Sequence, residues 1–288
     1  MPELPEVETV KRTLNALIPG KRIDQVQVLL PRIIQHPSEP EIFAALLAGQ
    51  HIHTVERRGK FLRFVLDDAV LVSHLRMEGR YGVYPSEAEV EKHTHVIFKF
   101  SDQTELRYRD VRQFGTMHIF AKGEEWNHPP LNKLGLEPLD PSFTFAAFSA
   151  KIAGRPTKVK PLLLNQEYIA GIGNIYVDES LFKAGIHPER SVQSLTRSEL
   201  KKLHEAIVAT LQDAVELGGS SIKSYVNGQG EMGMFQQKLL VYGRKEEPCC
   251  RCGGLIERFV VAGRGTHACL KCQPQKRRTR TVRKAQIE

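Results

Sequence analysis

The sequence predicts an α+β protein: one helix opening a β-sandwich, a helical middle, and a small C-terminal cysteine hairpin. Three observations carry this. Apolar residues recur at helical spacing at the start, as Val7, Val10, Leu14 and Leu17. Short β-prone runs then follow one another closely as far as Phe120. All five cysteines lie between positions 249 and 272. At 288 residues the chain can bury a sizeable core, and a hydrophobic content of 41% excludes disorder as the whole story.

The first helix has Pro5 in its first turn and is stopped by Pro19-Gly20. The clearest strands are residues 23–28, 61–66 and 95–100, with Ser101-Asp102-Gln103-Thr104 as a turn into residues 105–108. Short strands at this spacing suggest a sandwich. Asn127-His128-Pro129-Pro130 and Glu137-Pro138-Leu139-Asp140-Pro141 break the pattern before helical text begins. Residues 174–184 read as a helix closed by Gly185. Thr196 and Glu199 form a capping box for a long helix running to Leu217 and ending at Gly218-Gly219. The Gly-, Ser- and Gln-rich segment 218–237 leads to the cysteines. The expected divisions are 1–131, 132–237, 238–273 and a basic tail, 274–288, expected to be disordered.

Cys249 and Cys252 make one CxxC knuckle and Cys269 and Cys272 another, sixteen residues on. Four thiolates so spaced form a closed tetrahedral cage, which suits one structural Zn²⁺ and leaves no open position for catalysis. Cys250 falls outside that geometry. Between the knuckles, residues 256–261 and 266–268 read as the strands of a hairpin, with Gly263-Arg264-Gly265 at its tip.

The longest stretch without Asp, Glu, Lys or Arg is residues 42–55, short of the roughly 20 apolar residues of a membrane span. Glu3, Glu6 and Glu8 occupy the place of a secretory signal's basic and apolar regions, so the cytoplasm is the expected compartment. The net charge of +8 invites a polyanionic partner. Yet Lys276, Arg277, Arg278, Arg280, Arg283 and Lys284 crowd the end of the chain against Glu288 alone, so composition by itself does not establish nucleic-acid binding.

The chain opens Met1-Pro2-Glu3-Leu4-Pro5-Glu6. With Met1 removed, Pro2 offers a secondary amine; an α-amino group has a pKa of about 7.7–8.0, which leaves a useful neutral fraction near pH 7. Such an amine can attack the anomeric carbon of a sugar to give an iminium, an electron sink for eliminating a phosphate. Read singly, Pro2 follows a start codon, Glu3 is a helix-start acid, Lys60 belongs to a basic strand face, Met77 and Phe114 belong in the core, and Arg264 is a solvated turn residue.

Read together with Arg58-Gly59-Lys60-Phe61, Ser73-His74-Leu75-Arg76-Met77-Glu78-Gly79, Arg109-Asp110-Val111-Arg112-Gln113-Phe114-Gly115, Gly173-Asn174-Ile175-Tyr176 and the paired knuckles, the opening resembles the bacterial formamidopyrimidine-DNA glycosylases, from Met1 to about Gln273. The resemblance implies a monomeric base-excision repair enzyme that removes oxidised purines, notably 8-oxoguanine and formamidopyrimidines, from double-stranded DNA. It also implies cleavage of the abasic strand by β,δ-elimination, with DNA in a cleft between a sandwich and a helix-two-turn-helix domain.

It further implies roles for individual residues. Pro2 is the nucleophile, Glu3 the carboxylate that moves protons at the sugar, Lys60 the proton-transfer lysine, and Arg264 the zinc-finger arginine of δ-elimination. Met77, Arg112 and Phe114 fill the void left by the extruded base, Arg112 facing the orphaned cytosine. His74, His93, Arg155, Lys160, Asn174 and Tyr242 touch DNA, mainly phosphate. The helix start at Gly171-Ile172-Gly173-Asn174 favours an anion. Glu6, Glu78, Ser220 and Ser221 line the lesion pocket. Asn165 departs from the Asp of close relatives, without a functional account. Two other readings are an enzyme resembling endonuclease VIII, acting on oxidised pyrimidines, and a non-catalytic zinc-dependent DNA-binding protein.

Overall fold

The computed structural model describes residues 1–220 and 233–275. The chain forms two compact units, one of residues Met1–Phe143, Asn165–Gly173 and Val208–Leu239, the other of Thr144–Leu164, Asn174–Ile207 and the chain from Leu240 onward.

In the first unit, α1 (Leu4–Leu17) buries Leu4, Val7, Val10 and Leu14 on one face, as the helical spacing requires. Four strands, β1 (Ile23–Val28), β6 (Arg80–Pro85), β7 (Thr94–Phe100) and β8 (Thr104–Arg109), make one sheet in the order β1-β7-β8-β6. Five more, β2 (Ile34–His36), β3 (Thr54–Arg58), β4 (Phe61–Val65), β5 (Ala69–His74) and β9 (Thr116–Ala121), make a second in the order β2-β9-β5-β4-β3. Side chains from both sheets, among them Leu62, Phe64, Phe98 and Leu106, share one core with α1. This is the expected sandwich. The sequence reading missed α2 (Pro40–Leu47), a helix with Pro40 in its first turn that anchors Phe43 and Leu47 in that core.

The second unit contains α3 (Phe145–Ile152), α4 (Val159–Leu164) and α5 (Asn174–Ala184). It also contains the first half of α6 (Arg197–Glu216). The capping box of α6 is present: the Glu199 N–H donates to Thr196 Oγ1 at 3.2 Å and the Thr196 N–H to Glu199 Oε2 at 2.9 Å. Asn165 follows α4, its Oδ1 accepting the Glu167 N–H at 2.9 Å, which gives that position a structural account. Between its two knuckles the cysteine module carries the hairpin of β10 (Glu257–Val261) and β11 (Arg264–Ala268). Arg264 pairs with Val261, so the turn is the two residues Ala262-Gly263, both with positive φ (48° and 74°). That is the turn that matches strand twist, and it places Arg264 first on β11 instead of mid-tip as expected. Among the described residues, no helix is long and apolar enough to cross a membrane.

Candidate functional site

The start of the chain is built into the first unit. Pro2 is buried and Glu3 is the N-cap of α1. Glu6 completes a capping box, its Oε2 accepting the Glu3 N–H at 2.9 Å. The other Glu6 oxygen accepts the Ser220 N–H at 2.7 Å and the Ser220 hydroxyl at 3.3 Å. One carboxylate thus ties the opening of the chain to the start of the Gly- and Ser-rich segment. Ser221 lies outside the described residues.

Glycines permit this crowding. The Gly171 carbonyl accepts the Leu4 N–H at 2.9 Å, and Gly171, at φ +86°, would place a Cβ 2.8 Å from Leu4. A Cβ on Gly173 would collide with the Glu3 carboxyl, and one on Gly219 would stand 2.7 Å from Glu6 Oε1. Gly171 and Gly173, read from sequence as part of an anion-binding helix start, are required here by the approach of Leu4 and Glu3.

Lys60 is buried at the β3–β4 turn and contributes to the electrostatics of His74. The turn is held on both sides of Gly59: its N–H donates to Glu137 Oε2 at 2.8 Å and its carbonyl accepts from Arg57 at 3.0 Å. Arg57 also donates to Glu8 on α1 at 2.9 Å. His74 Nδ1 accepts the Arg76 N–H at 2.8 Å, which leaves the proton of the neutral ring on Nε2. Burial, reinforced by the charges of Arg76, Lys60 and His118, holds the His74 pKa down to about 3.

Met77 and Phe114 are 37% and 52% exposed, which overturns the core reading that residue type alone suggests. The Arg112 guanidinium stands 5.0 Å from the centre of the Phe114 ring. Asp110, fully buried and missed from sequence, organises this loop: its carboxylate accepts the N–H groups of Arg112 (3.1 Å), Phe114 (2.9 Å) and Gly115 (2.9 Å). Its own N–H donates to the carbonyl of half-buried His93 at 3.0 Å. Arg76, His93 and Gln113 all have positive φ, so backbone strain gathers beside these side chains. Glu78 is half-buried beside Met77.

In the second unit the four cysteine sulfurs lie within 4.8 Å of one another, with Cys249 and Cys272 3.8 Å apart and Cys252 and Cys269 3.5 Å apart. Four ligands at Zn–S of about 2.3 Å imply tetrahedral edges of about 3.8 Å, so the cage fits zinc. Burial and neighbouring thiols push Cys272 up to about 12; burial also acts upward on Cys249, but the backbone N–H groups of Arg251 and Cys252 bring it down to about 7. Cys250 is exposed and stands outside the cage. The cage packs on Phe182 of α5.

Tyr242 is half-buried, its N–H bound to Glu179 Oε1 at 2.9 Å and its ring edge-on to His267. Arg155 is exposed after α3, and Arg264 is exposed on β11. The Asn174 amide donates to the Gly265 carbonyl at 2.9 Å. Lys160 departs from expectation. Its side chain is 0% exposed, with the ammonium on Asp178 at 2.7 Å and on the Gly265 carbonyl at 3.0 Å, so direct contact with phosphate gives way to an internal role. A cavity of about 380 Å³ beside α2 and β9 contains none of the candidate residues in its lining.

Comparison with known proteins agrees with this geometry. Residues 1–117 match the formamidopyrimidine-DNA glycosylase N-terminal domain, residues 134–226 the H2TH domain of the same enzymes, and residues 246–275 a zinc finger found in FPG and IleRS. Formamidopyrimidine-DNA glycosylase of Brevibacillus brevis is 66% identical over 95% of this chain and 99% of its own. That of Bacillus licheniformis is 58% identical with the same coverage. Two solved structures from Lactococcus lactis, one in complex with DNA containing N7-benzyl-Fapy-dG and one with DNA containing an abasic site, each superpose with a TM-score of 0.88. They are 43% and 42% identical, and each covers 95% of this chain and 100% of its own. The chain, with its capped N-terminus, strained and exposed Met77 and Phe114 loops and four-sulfur cage, belongs to the formamidopyrimidine-DNA glycosylase family.

Proposed function

We propose that this protein is a bifunctional base-excision repair enzyme that removes oxidised purines, 8-oxoguanine and formamidopyrimidines, from double-stranded DNA and cleaves the resulting abasic strand. The observation that carries the reading is the fit of the first residues: Glu3 seated against Gly173, and Glu6 bonded to Ser220. Burial of the Glu3 and Glu6 carboxyls, which an ordinary helix start leaves in water, supports a role for them beyond capping.

In this reading Met1 is removed and the Pro2 nitrogen attacks C1′, displacing the damaged base and leaving an iminium after ring opening. Loss of a C2′ proton then breaks the C3′–O3′ bond, and loss of a C4′ proton breaks C5′–O5′; each departing phosphate takes the electron pair. Glu3 and Lys60 move the protons, and both are sequestered from bulk water, which strengthens every interaction between them and the reacting sugar. His74 presents an Nε2–H donor. Met77, Arg112 and Phe114 occupy the gap in the base stack. Zinc, when bound, fixes the hairpin that carries Arg264, and Glu6, Glu78, Ser220 and Ser221 border the extruded purine. His93, Arg155, Asn174 and Tyr242 position the DNA backbone. The protein works as a monomer in the cytoplasm, on the divisions 1–131, 132–237, 238–273 and 274–288; one matched family segment corresponds to each of the first three.

Borohydride trapping on duplex DNA with 8-oxoguanine opposite cytosine tests this, with peptide mapping of the adduct. A covalent adduct on Pro2 is expected. Absence of an adduct from zinc-loaded protein on that duplex, and on duplexes carrying formamidopyrimidine or an abasic site, overturns the reading in favour of a DNA-binding module.

A further inference from the structure

The hairpin that carries Arg264 is two-stranded, and an isolated two-stranded hairpin is marginal in water. Its position therefore depends on what holds it. In the antiparallel register, Val261 pairs with Arg264, Val260 with Gly265, Phe259 with Thr266 and Arg258 with His267. The backbone groups of Gly265 and His267 consequently point away from β10, along the free edge of β11.

Side chains of α4 and α5 satisfy that edge. The Gly265 carbonyl accepts from Lys160 Nζ at 3.0 Å and from Asn174 Nδ2 at 2.9 Å. The His267 N–H donates to Asp178 Oδ2 at 2.8 Å. The other Asp178 oxygen accepts Lys160 Nζ at 2.7 Å, and both side chains are 0% exposed. Between these two anchored residues, Thr266 Oγ1 donates to the Arg264 carbonyl at 3.0 Å, so the backbone is fixed up to Arg264 itself.

A fully buried ion pair is a poor source of stability, because desolvation offsets most of the attraction; its best-attested use is to fix registry. Here the pair sits where registry matters, between two helices and the strand whose first residue is the exposed arginine. We propose that Asp178 is a positioning residue for Arg264. Through its own carboxylate and through Lys160, it sets the free edge of β11 and so the place of the guanidinium at the phosphate that departs in the second elimination. The step itself is the one given above: the C4′ proton is lost, C5′–O5′ breaks, and the phosphate leaves with the pair. Asp178 touches neither the sugar nor the phosphate. The inference rests on the proposed glycosylase and lyase reading.

The test is the ratio of δ- to β-elimination products on duplex DNA with an abasic site, measured with the full zinc-loaded protein. Asp178→Asn, which keeps shape and removes charge, is expected to lower that ratio about tenfold, short of the roughly 100-fold cost of a reacting group misplaced by about 1 Å. Borohydride trapping at Pro2 and one zinc per chain stay as in the wild type. The double variant Lys160→Gln with Asp178→Asn removes both charges together, leaves no lone buried ammonium, and is expected to show the same lowered ratio. In an Arg264→Ala background, Asp178→Asn is expected to change nothing further, which a merely structural role does not predict. A wild-type product ratio in folded, zinc-loaded variants overturns the inference, as does a parallel fall in trapping. Failure of the wild type itself to trap or cleave counts instead against the reading on which the inference rests.

Discussion

Gly173 is the residue on which the proposed role of Glu3 leans most directly, because any side chain there occupies the space of the Glu3 carboxyl. Gly173→Ala is expected to lower the rate of borohydride trapping about 100-fold, since displacing a reacting group by about 1 Å costs that much. A thermal melt and zinc content close to wild type will show that the loss is local. His74 gives a pH prediction with a definite sign. Its folded pKa, about 3, lies below the ordinary histidine value of 6.5, so protons bind the unfolded chain more readily. The stability this group contributes is present in full above about pH 6.5. It is lost as pH falls from there towards 3, at up to about 1.4 kcal/mol per pH unit. His74→Asn, whose Oδ1 stands where Nδ1 does, can still accept the Arg76 N–H but cannot titrate. The pH dependence of its denaturation midpoint between pH 6.5 and 4 is expected to be shallower than that of the wild type.

At the scale of elements, the zinc cage and its hairpin form a unit with α5. Phe182 lies in the apolar cluster of Cys249 and Cys269, and the Arg251 guanidinium donates to the Phe182 carbonyl at 2.8 Å at the helix end. Without metal, four clustered thiols repel one another as anions and must reprotonate, so the cage loses its cohesion. Chelation is expected to abolish DNA cleavage and to make the four cysteines reactive to a thiol reagent. The one tryptophan, Trp126, belongs to the first unit, its ring 4.2 Å from the Arg63 guanidinium. Its emission is expected to stay unchanged while the thiols appear; a coincident shift would show that zinc loss unfolds the sandwich as well.

For the molecule as a whole, charge distribution is the lever. More than half of the net +8 sits in the last thirteen residues, beyond the matched zinc finger. Deleting residues 276–288 is expected to weaken binding to undamaged duplex and to flatten the dependence of log K on log salt, by about 0.9 for every phosphate that the tail neutralises. The product ratio on abasic DNA is expected to stay the same, because the groups proposed for the chemistry all precede the tail. An unchanged salt slope would remove the tail from the binding surface.

What the sequence alone determined was whatever depends on local pattern. Residues 23–28 and 174–184 form the strand and the helix that their periodicity predicts, Thr196 and Glu199 cap α6, and the two CxxC spacings define the cage. In each case the physical cause is contained in a few neighbouring residues. The run containing α2 is masked in the sequence by its β-prone neighbours, although Pro40 and the Phe43–Leu47 spacing are the signals that mark it. Tertiary structure decided the rest, because burial and partnership are set by residues far apart in the chain. Met77 and Phe114 are apolar by type, yet strained loops, the second held by Asp110, leave them exposed. Lys160 is a cation by type, yet Asp178 and Gly265, 18 and 105 positions away, enclose it. Gly171 and Gly173 read as a helix start, while the side chains that require them, Leu4 and Glu3, come from the opening of the chain, a closeness that only the folded chain creates.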